Sequence, residues 1–239
     1  MGGEAVANGS DVADFTQAGA LVKTAIDSFG GLDVVVNNAG FVRDRMFVSC
    51  SEDEWDAIIR VHLKGHYAVT NNACAYWRGQ SKEGKDVDAR IINTSSGAGL
   101  QGSIGQSAYA AAKGGIATLT LVQAAELRRY GVTSNAIAPS ARTRMTEEVF
   151  SEMMAKPDSG FDVMHPGNVS PLVVWLGSAA SREVTGRVFE VAGGKISVAD
   201  GWRMGPEIDK GDRWEPAEVG DAVAKVLSDS VEPQKVYGT

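Results

Sequence analysis

Short β-branched runs alternate along this chain with longer stretches whose apolar residues recur at helical spacing, a pattern of strand–helix–strand units around a parallel sheet. Val34-Val35-Val36, Ile91-Ile92, Val132-Thr133-Ser134-Asn135-Ala136-Ile137 and Val188-Phe189-Glu190-Val191 read as buried strands. Helical spacing covers residues 14–29, 52–80, 107–130 and 168–178. Asp53 and Glu54 fall early in the second of these, where acids favour a helix N-terminus. Residues 81–89 are a polar interruption, read as a solvated loop, and there is neither an internal repeat nor a domain-scale linker. The expected architecture is one α/β domain over 1–239, with a core at 1–194 and a tail at 195–239. That tail is polar and rich in Gly, Pro and Trp, and its segment Ala217–Leu227 has the spacing of a helix that packs back on the domain.

Composition narrows the class. With 239 residues and 44% hydrophobic content, the chain is long enough to bury a full core. A net charge of -7 argues against nucleic acid as the main partner, because no basic field would collect phosphates. The apolar stretches fall far short of the roughly 20 residues a membrane helix needs. Cys50 and Cys74 have no metal-ligand spacing and read as unpaired thiols in a reducing compartment, cytoplasmic or an organelle matrix.

The candidate chemistry lies in Ser96, Tyr109 and Lys113, taken with Asn37-Asn38-Ala39-Gly40 upstream. Tyrosine and lysine four residues apart share one face of a helix, which sets an ammonium beside a phenol. A nearby positive charge is expected to lower the phenol from its free value of about 10. A phenol so tuned can pass a proton to or from a substrate alcohol. Ser96 follows the run Arg90–Ser95, where a strand tip can aim a hydroxyl at the same oxygen. Asn37–Gly40 directly follows a strand, at the carboxyl edge where open α/β sheets bind ligands, although alone it reads equally as a plain strand-to-helix turn.

Together with the small residues of 97–105 and Asn135-Ala136-Ile137-Ala138-Pro139, these positions resemble the short-chain dehydrogenase/reductase family over nearly the whole chain. The resemblance implies a Rossmann-type doubly wound parallel sheet and interconversion of a secondary alcohol and a ketone with NAD, NADP being less favoured. It makes Tyr109 the proton donor, Lys113 the ribose-binding lysine and Ser96 the group that holds the substrate oxygen. Asn38, Ala39 and Gly40 support the adenosine side of the cofactor, Asp11 and Val12 meet the adenine ring, and Pro139 and Thr143 flank the nicotinamide.

Arg43-Asp44-Arg45, Val61-His62-Leu63-Lys64-Gly65, Arg144-Met145-Thr146 and Val169–Leu176 narrow the likeness to one branch. That branch contains the (R)-3-hydroxyacyl-CoA dehydrogenase unit of peroxisomal multifunctional enzyme type 2 and its bacterial relatives. It implies a 3-hydroxyacyl-CoA or steroid-derived small-molecule substrate and a homodimer or homotetramer. His62 stands where most members carry an asparagine that holds a proton-relay water; it reads either as catalytic and relay-adjacent, or as a helix histidine bonded to nearby backbone. Arg142, Arg144 and Lys64 are candidates for a CoA phosphate, or else solvated surface charges. Trp202, Trp214 and Tyr237 either cover an acyl pocket or pack the tail. Alternatives to this function are a 3-oxoacyl-thioester reductase using NADPH, and a cofactor-free subunit whose helices 52–80 and 107–130 serve association alone.

One departure from the family pattern is large. The turn Thr-Gly-x-x-x-Gly-x-Gly, which would cradle a pyrophosphate, has no counterpart upstream of Asn37. Met1–Asn8 resembles the family's third strand, so the first two strands of the expected order 3-2-1-4-5-6-7 are lacking. A fragment or a misassigned start is the favoured explanation, over a truncated paralogue or a layer supplied by another chain.

Overall fold

A computed structural model describes residues 2–143 and 154–238. Two compact units emerge: Met1–Ala199 together with Val236–Thr239, and Asp200–Lys235.

The first unit is built on a five-stranded sheet in the order β1-β2-β3-β4-β5. β1 (Val34–Asn37), β2 (Ala89–Thr94), β3 (Val132–Ser140) and β4 (Val188–Ala192) run parallel in chain order, as the 4-5-6-7 side of the expected topology requires. β5 (Lys195–Val198) closes the sheet antiparallel to β4, with Ala192 opposite Lys195. Sequence reading missed this strand, although Gly193-Gly194 between two β-branched runs is the composition of a two-residue hairpin turn, and Gly193 takes a φ of 56°. The third strand expected at Met1–Asn8 does not form: residues 2–10 join no strand and are almost wholly exposed. The described sheet ends at β1, so no strand beyond it takes their hydrogen bonds.

Helices cover both faces, which is why β2 is buried at every position and reads as a continuous run instead of an alternating one. α1 (Phe15–Phe29) starts at Asp14, whose carboxylate accepts from Gln17 N, and stops at Gly30 in the left-handed region. α2 (Glu52–Ile59) opens with a reciprocal Ser51–Glu54 capping box. It runs through a π turn, Arg60–Lys64, into α3 (Gly65–Lys82). Ala18, Val22, Ala68, Ala73 and Trp77 from α1 and α3 pack on Val35 and Ile91, and the Trp77 indole donates to Leu32 O at 2.6 Å. The opposite face is sealed by Leu172 and Leu176 of α6 (Ser170–Leu176) against Ile92, Ile137 and Val191. Adjacent residues Ile91 and Ile92 thus serve different cores, as the two-residue period of a strand demands.

α4 (Gly97–Gln101) and α5 (Ser107–Leu127) complete the unit at the carboxyl edge of β2. In the second unit α7 (Pro216–Ser228) begins with a Glu215–Glu218 capping box and carries Val219, Val223 and Leu227 on a partly exposed apolar face, beside Trp214. Among the described residues no helix is long and apolar enough to cross a membrane, and Cys50 and Cys74 are free thiols.

Candidate active site

Ser96 is the first residue but one past β2 and caps α4, its hydroxyl accepting from Ala98 N at 3.3 Å. Tyr109 and Lys113 lie one turn apart on α5, with the Lys113 ammonium 5.5 Å from the centre of the Tyr109 ring. The Ser96 hydroxyl lies near enough to the Tyr109 phenol to pull its pKa down. All three groups therefore meet at one point on the carboxyl edge of the sheet. Close approach of α4 and α5 makes this possible: a Cβ on Gly99 would lie 2.6 Å from Gly114 N and from Lys113 Cβ, so glycine is required there.

The electrostatics differ from the sequence-based expectation. Tyr109 is pushed above its ordinary value, first by burial and further by the Asp44 carboxylate, against the opposing pull of the Ser96 hydroxyl. Lys113 is almost fully buried, and its ammonium donates to Thr94 O at 2.7 Å. Burial also lowers Lys113 itself to about 8. Asp44 is held near the site by Gln106 Nε2, which donates to its carboxylate at 3.0 Å.

His62, in the π turn, sets its ring edge-on to Tyr109 with centroids 5.3 Å apart. Its Nε2 lies 2.6 Å from Phe41 O, while its buried Nδ1 has no hydrogen-bond partner. Burial and the Lys113 charge lower its pKa to about 4, so the ring is neutral. The turn Asn38-Ala39-Gly40 is exposed at the end of β1, and Asn38 is tied in by Thr94 Oγ1, which donates to its Oδ1 at 3.2 Å. A Cβ on Gly40 would collide with the His62 ring, which explains a glycine at the motif's fourth position.

The remaining expected residues are more dispersed. Pro139 pairs with Val191 near the carboxyl end of β3, and Thr143 lies beyond that strand. Asp11 precedes α1 and is ion-paired with Arg60, while Val12 packs toward Gly65. Lys64 is exposed and its charge acts on Asp11. Arg142 is not available to a phosphate as expected: Asp162 pairs with its guanidinium, which also donates to Met154 O. Arg144, Met145 and Thr146 lie outside the described residues. Trp202 is fully exposed, Trp214 sits beneath the Lys210 ammonium, and the Tyr237 ring abuts Gly97.

Sequence reading missed two groups. His66 is buried beside the site, and its Nε2 accepts from Thr94 N at 3.3 Å. Asn93 lies beneath the floor of the site, donating to Thr120 Oγ1 and Gln123 Oε1 and accepting from Asn37 Nδ2. A polar residue inside an otherwise apolar strand, as in Ile91-Ile92-Asn93-Thr94, was the available signal for the second.

A lysine ammonium has three donors, and Thr94 O takes one of them. The others suit sugar hydroxyls, so Lys113 fits a ribose of a dinucleotide. A pyrophosphate finds no glycine-rich strand-turn-helix among the described residues. The N-terminus of α1, the first helix, is already capped by an acidic side chain.

Residues 1–154 match the short chain dehydrogenase family. The chain is 46% identical over 221 residues to the hydroxyacyl-CoA dehydrogenase ChsB1 of Mycobacterium tuberculosis, covering 91% of this chain and 69% of that protein. It is 44% identical over 196 residues to the peroxisomal multifunctional enzyme type 2 of Mus musculus, covering 82% of this chain but only 24% of the mouse protein. A crystal structure of a short chain dehydrogenase from Mycobacterium avium superimposes with a TM-score of 0.91 at 67% identity, covering 100% of this chain and 79% of that one. With the serine, tyrosine and lysine gathered at the carboxyl edge of a parallel sheet, the chain belongs to the short-chain dehydrogenases, a family of nicotinamide-dependent oxidoreductases.

Proposed function

We propose that this chain carries the catalytic centre of an NAD-dependent dehydrogenase that interconverts a 3-hydroxyacyl-CoA and its 3-oxo form. A steroid or long acyl group is the body of that substrate. The observation that carries the reading is the convergence of Ser96, at the head of α4, on the Tyr109 phenol beside the buried ammonium of Lys113. The substrate class is supported by the 46% identical relative named as a hydroxyacyl-CoA dehydrogenase. A homodimer or homotetramer in the cytoplasm fits the branch likeness and the free thiols.

The nicotinamide, when bound, gives or takes the hydride at the carbinol carbon. Ser96 holds the substrate oxygen, a donor fixed in place before charge develops there. In the ketone-to-alcohol direction Tyr109 Oη donates its proton to that oxygen, and burial favours the neutral phenol this requires. In the reverse direction the phenolate takes the hydroxyl proton, with the Lys113 charge 5.5 Å from its ring to stabilise the anion. Lys113 also holds the ribose through its spare donors.

Isothermal titration of NAD into the whole chain, alongside turnover of a 3-hydroxyacyl-CoA, tests the assignment. Tyr109→Phe is expected to lower kcat by about a thousandfold while leaving NAD affinity within about twofold. Retained turnover in the variant, or no NAD binding by the parent chain, would overturn the reading.

A further inference from the structure

We infer that His66 is a positioning residue: it grips the peptide N–H of Thr94 so that the carbonyl of that same residue receives the Lys113 ammonium. The role rests on the proposed function of Lys113, but the geometry stands apart from any activity. Thr94 is the last residue of β2, in register with Ile137, and the peptide that follows it is tied to β3 by Ser95 N, which donates to Ile137 O at 2.7 Å. Three side chains fix Thr94. His66 Nε2 accepts from its N–H at 3.3 Å, Lys113 Nζ donates to its C=O at 2.7 Å, and its hydroxyl donates to Asn38 Oδ1 at 3.2 Å. Thr94 is thus a joint between the strand, the amine on α5 and the turn after β1, and the imidazole is its inner anchor.

The ring can act as an acceptor only while neutral, and its surroundings enforce that. Burial and the Lys113 charge carry the pKa of His66 down to about 3, overriding the carbonyls of His62 and Asn37 that pull it up. A neutral imidazole has one lone pair and one N–H. With the Nε2 lone pair taken by Thr94, the proton must sit on Nδ1. The π turn immediately before α3 sets His62 and His66 on neighbouring turns, so the interruption places one imidazole against Tyr109 and the other against Thr94.

The experiment uses the whole chain and needs no cofactor. Long-range nitrogen–proton spectra of the histidine rings report the tautomer of His66 in the parent protein. The Nδ1–H form is expected, and the Nε2–H form would overturn the inference without any variant. Two substitutions then separate positioning from packing. Glutamine can place its Oε1 where Nε2 stands, whereas asparagine is one methylene too short to reach Thr94. With ε-carbon-labelled lysine, the Lys113 titration is expected to stay near its parent value in His66→Gln. In His66→Asn it is expected to rise by about one unit toward the free lysine value as the amine loses its fixed, buried seat. Turnover of a 3-hydroxyacyl-CoA should keep the same order, within about threefold for Gln and down about tenfold or more for Asn. Equal Lys113 titrations in folded Gln and Asn variants would overturn the role. Failure of the dehydrogenase reading would leave the tautomer and the lysine titration unchanged, so the two are separable.

Discussion

Gly40 shows how one missing methyl shapes the site. The His62 ring occupies the space where a Cβ on Gly40 would stand, and the same ring lies edge-on to Tyr109. Gly40→Ala is therefore expected to cost about 1–3 kcal/mol through overpacking and to shift His62 off the phenol. Denaturant unfolding of the variant checks the first effect, and a change in the histidine ring resonances checks the second; a variant as stable as the parent would contradict the packing argument. Ser96, Tyr109 and Lys113 were legible in the sequence because their spacing on strand tip and helix face is itself the geometry. The acidity of Tyr109 was not legible. It turns on burial of the phenol and on the Asp44 carboxylate brought near it, both of them products of the fold.

At the scale of elements, parallel strands carry a line of polar side chains through their interior. Asn37 Nδ2 donates to Thr70 Oγ1 and to Asn93 Oδ1, Asn93 donates to Thr120 and Gln123, and Ser134 Oγ donates to Gln123 Oε1. Every link is buried, so a broken link leaves unpaired dipoles with no access to water. Asn93→Leu is expected to destabilise by about 2–4 kcal/mol, whereas Thr120→Val, which leaves the Asn93 amide bonded to Gln123, should cost about 1 kcal/mol. Equal losses in urea melts would argue against a shared network. The strands β1 to β4 and the long helices were readable from apolar spacing alone. The π turn was not, since 52–80 keeps helical spacing straight through it, and its cause is tertiary: the bulge aims His62 into the site. β5 escaped although Lys195-Ile196-Ser197-Val198 alternates polar and apolar residues, because a run of four is too short to stand out in a polar tail.

For the whole molecule, the two buried histidines make stability depend on pH. Their folded values, about 4 for His62 and about 3 for His66, lie below the model-peptide value of 6.5. The unfolded chain therefore binds more protons than the folded one between those limits. Their contribution is complete above pH 6.5 and is lost as pH falls toward the folded values, at up to about 1.4 kcal/mol per pH unit for each ring. Unfolding midpoints measured at pH 7, 6 and 5 should decline with increasing steepness, and His66→Gln should flatten the decline; a profile identical in parent and variant would refute this account.

Among the described residues the sheet also leaves one margin open. β1 pairs with β2 on one side only, and Val36 on it is about half exposed. Its outward N–H and C=O groups form a template for any extended segment that drifts alongside, a second copy of the same strand included. Edge-to-edge pairing there would engage a stretch of four residues that leads straight into the turn beside His62.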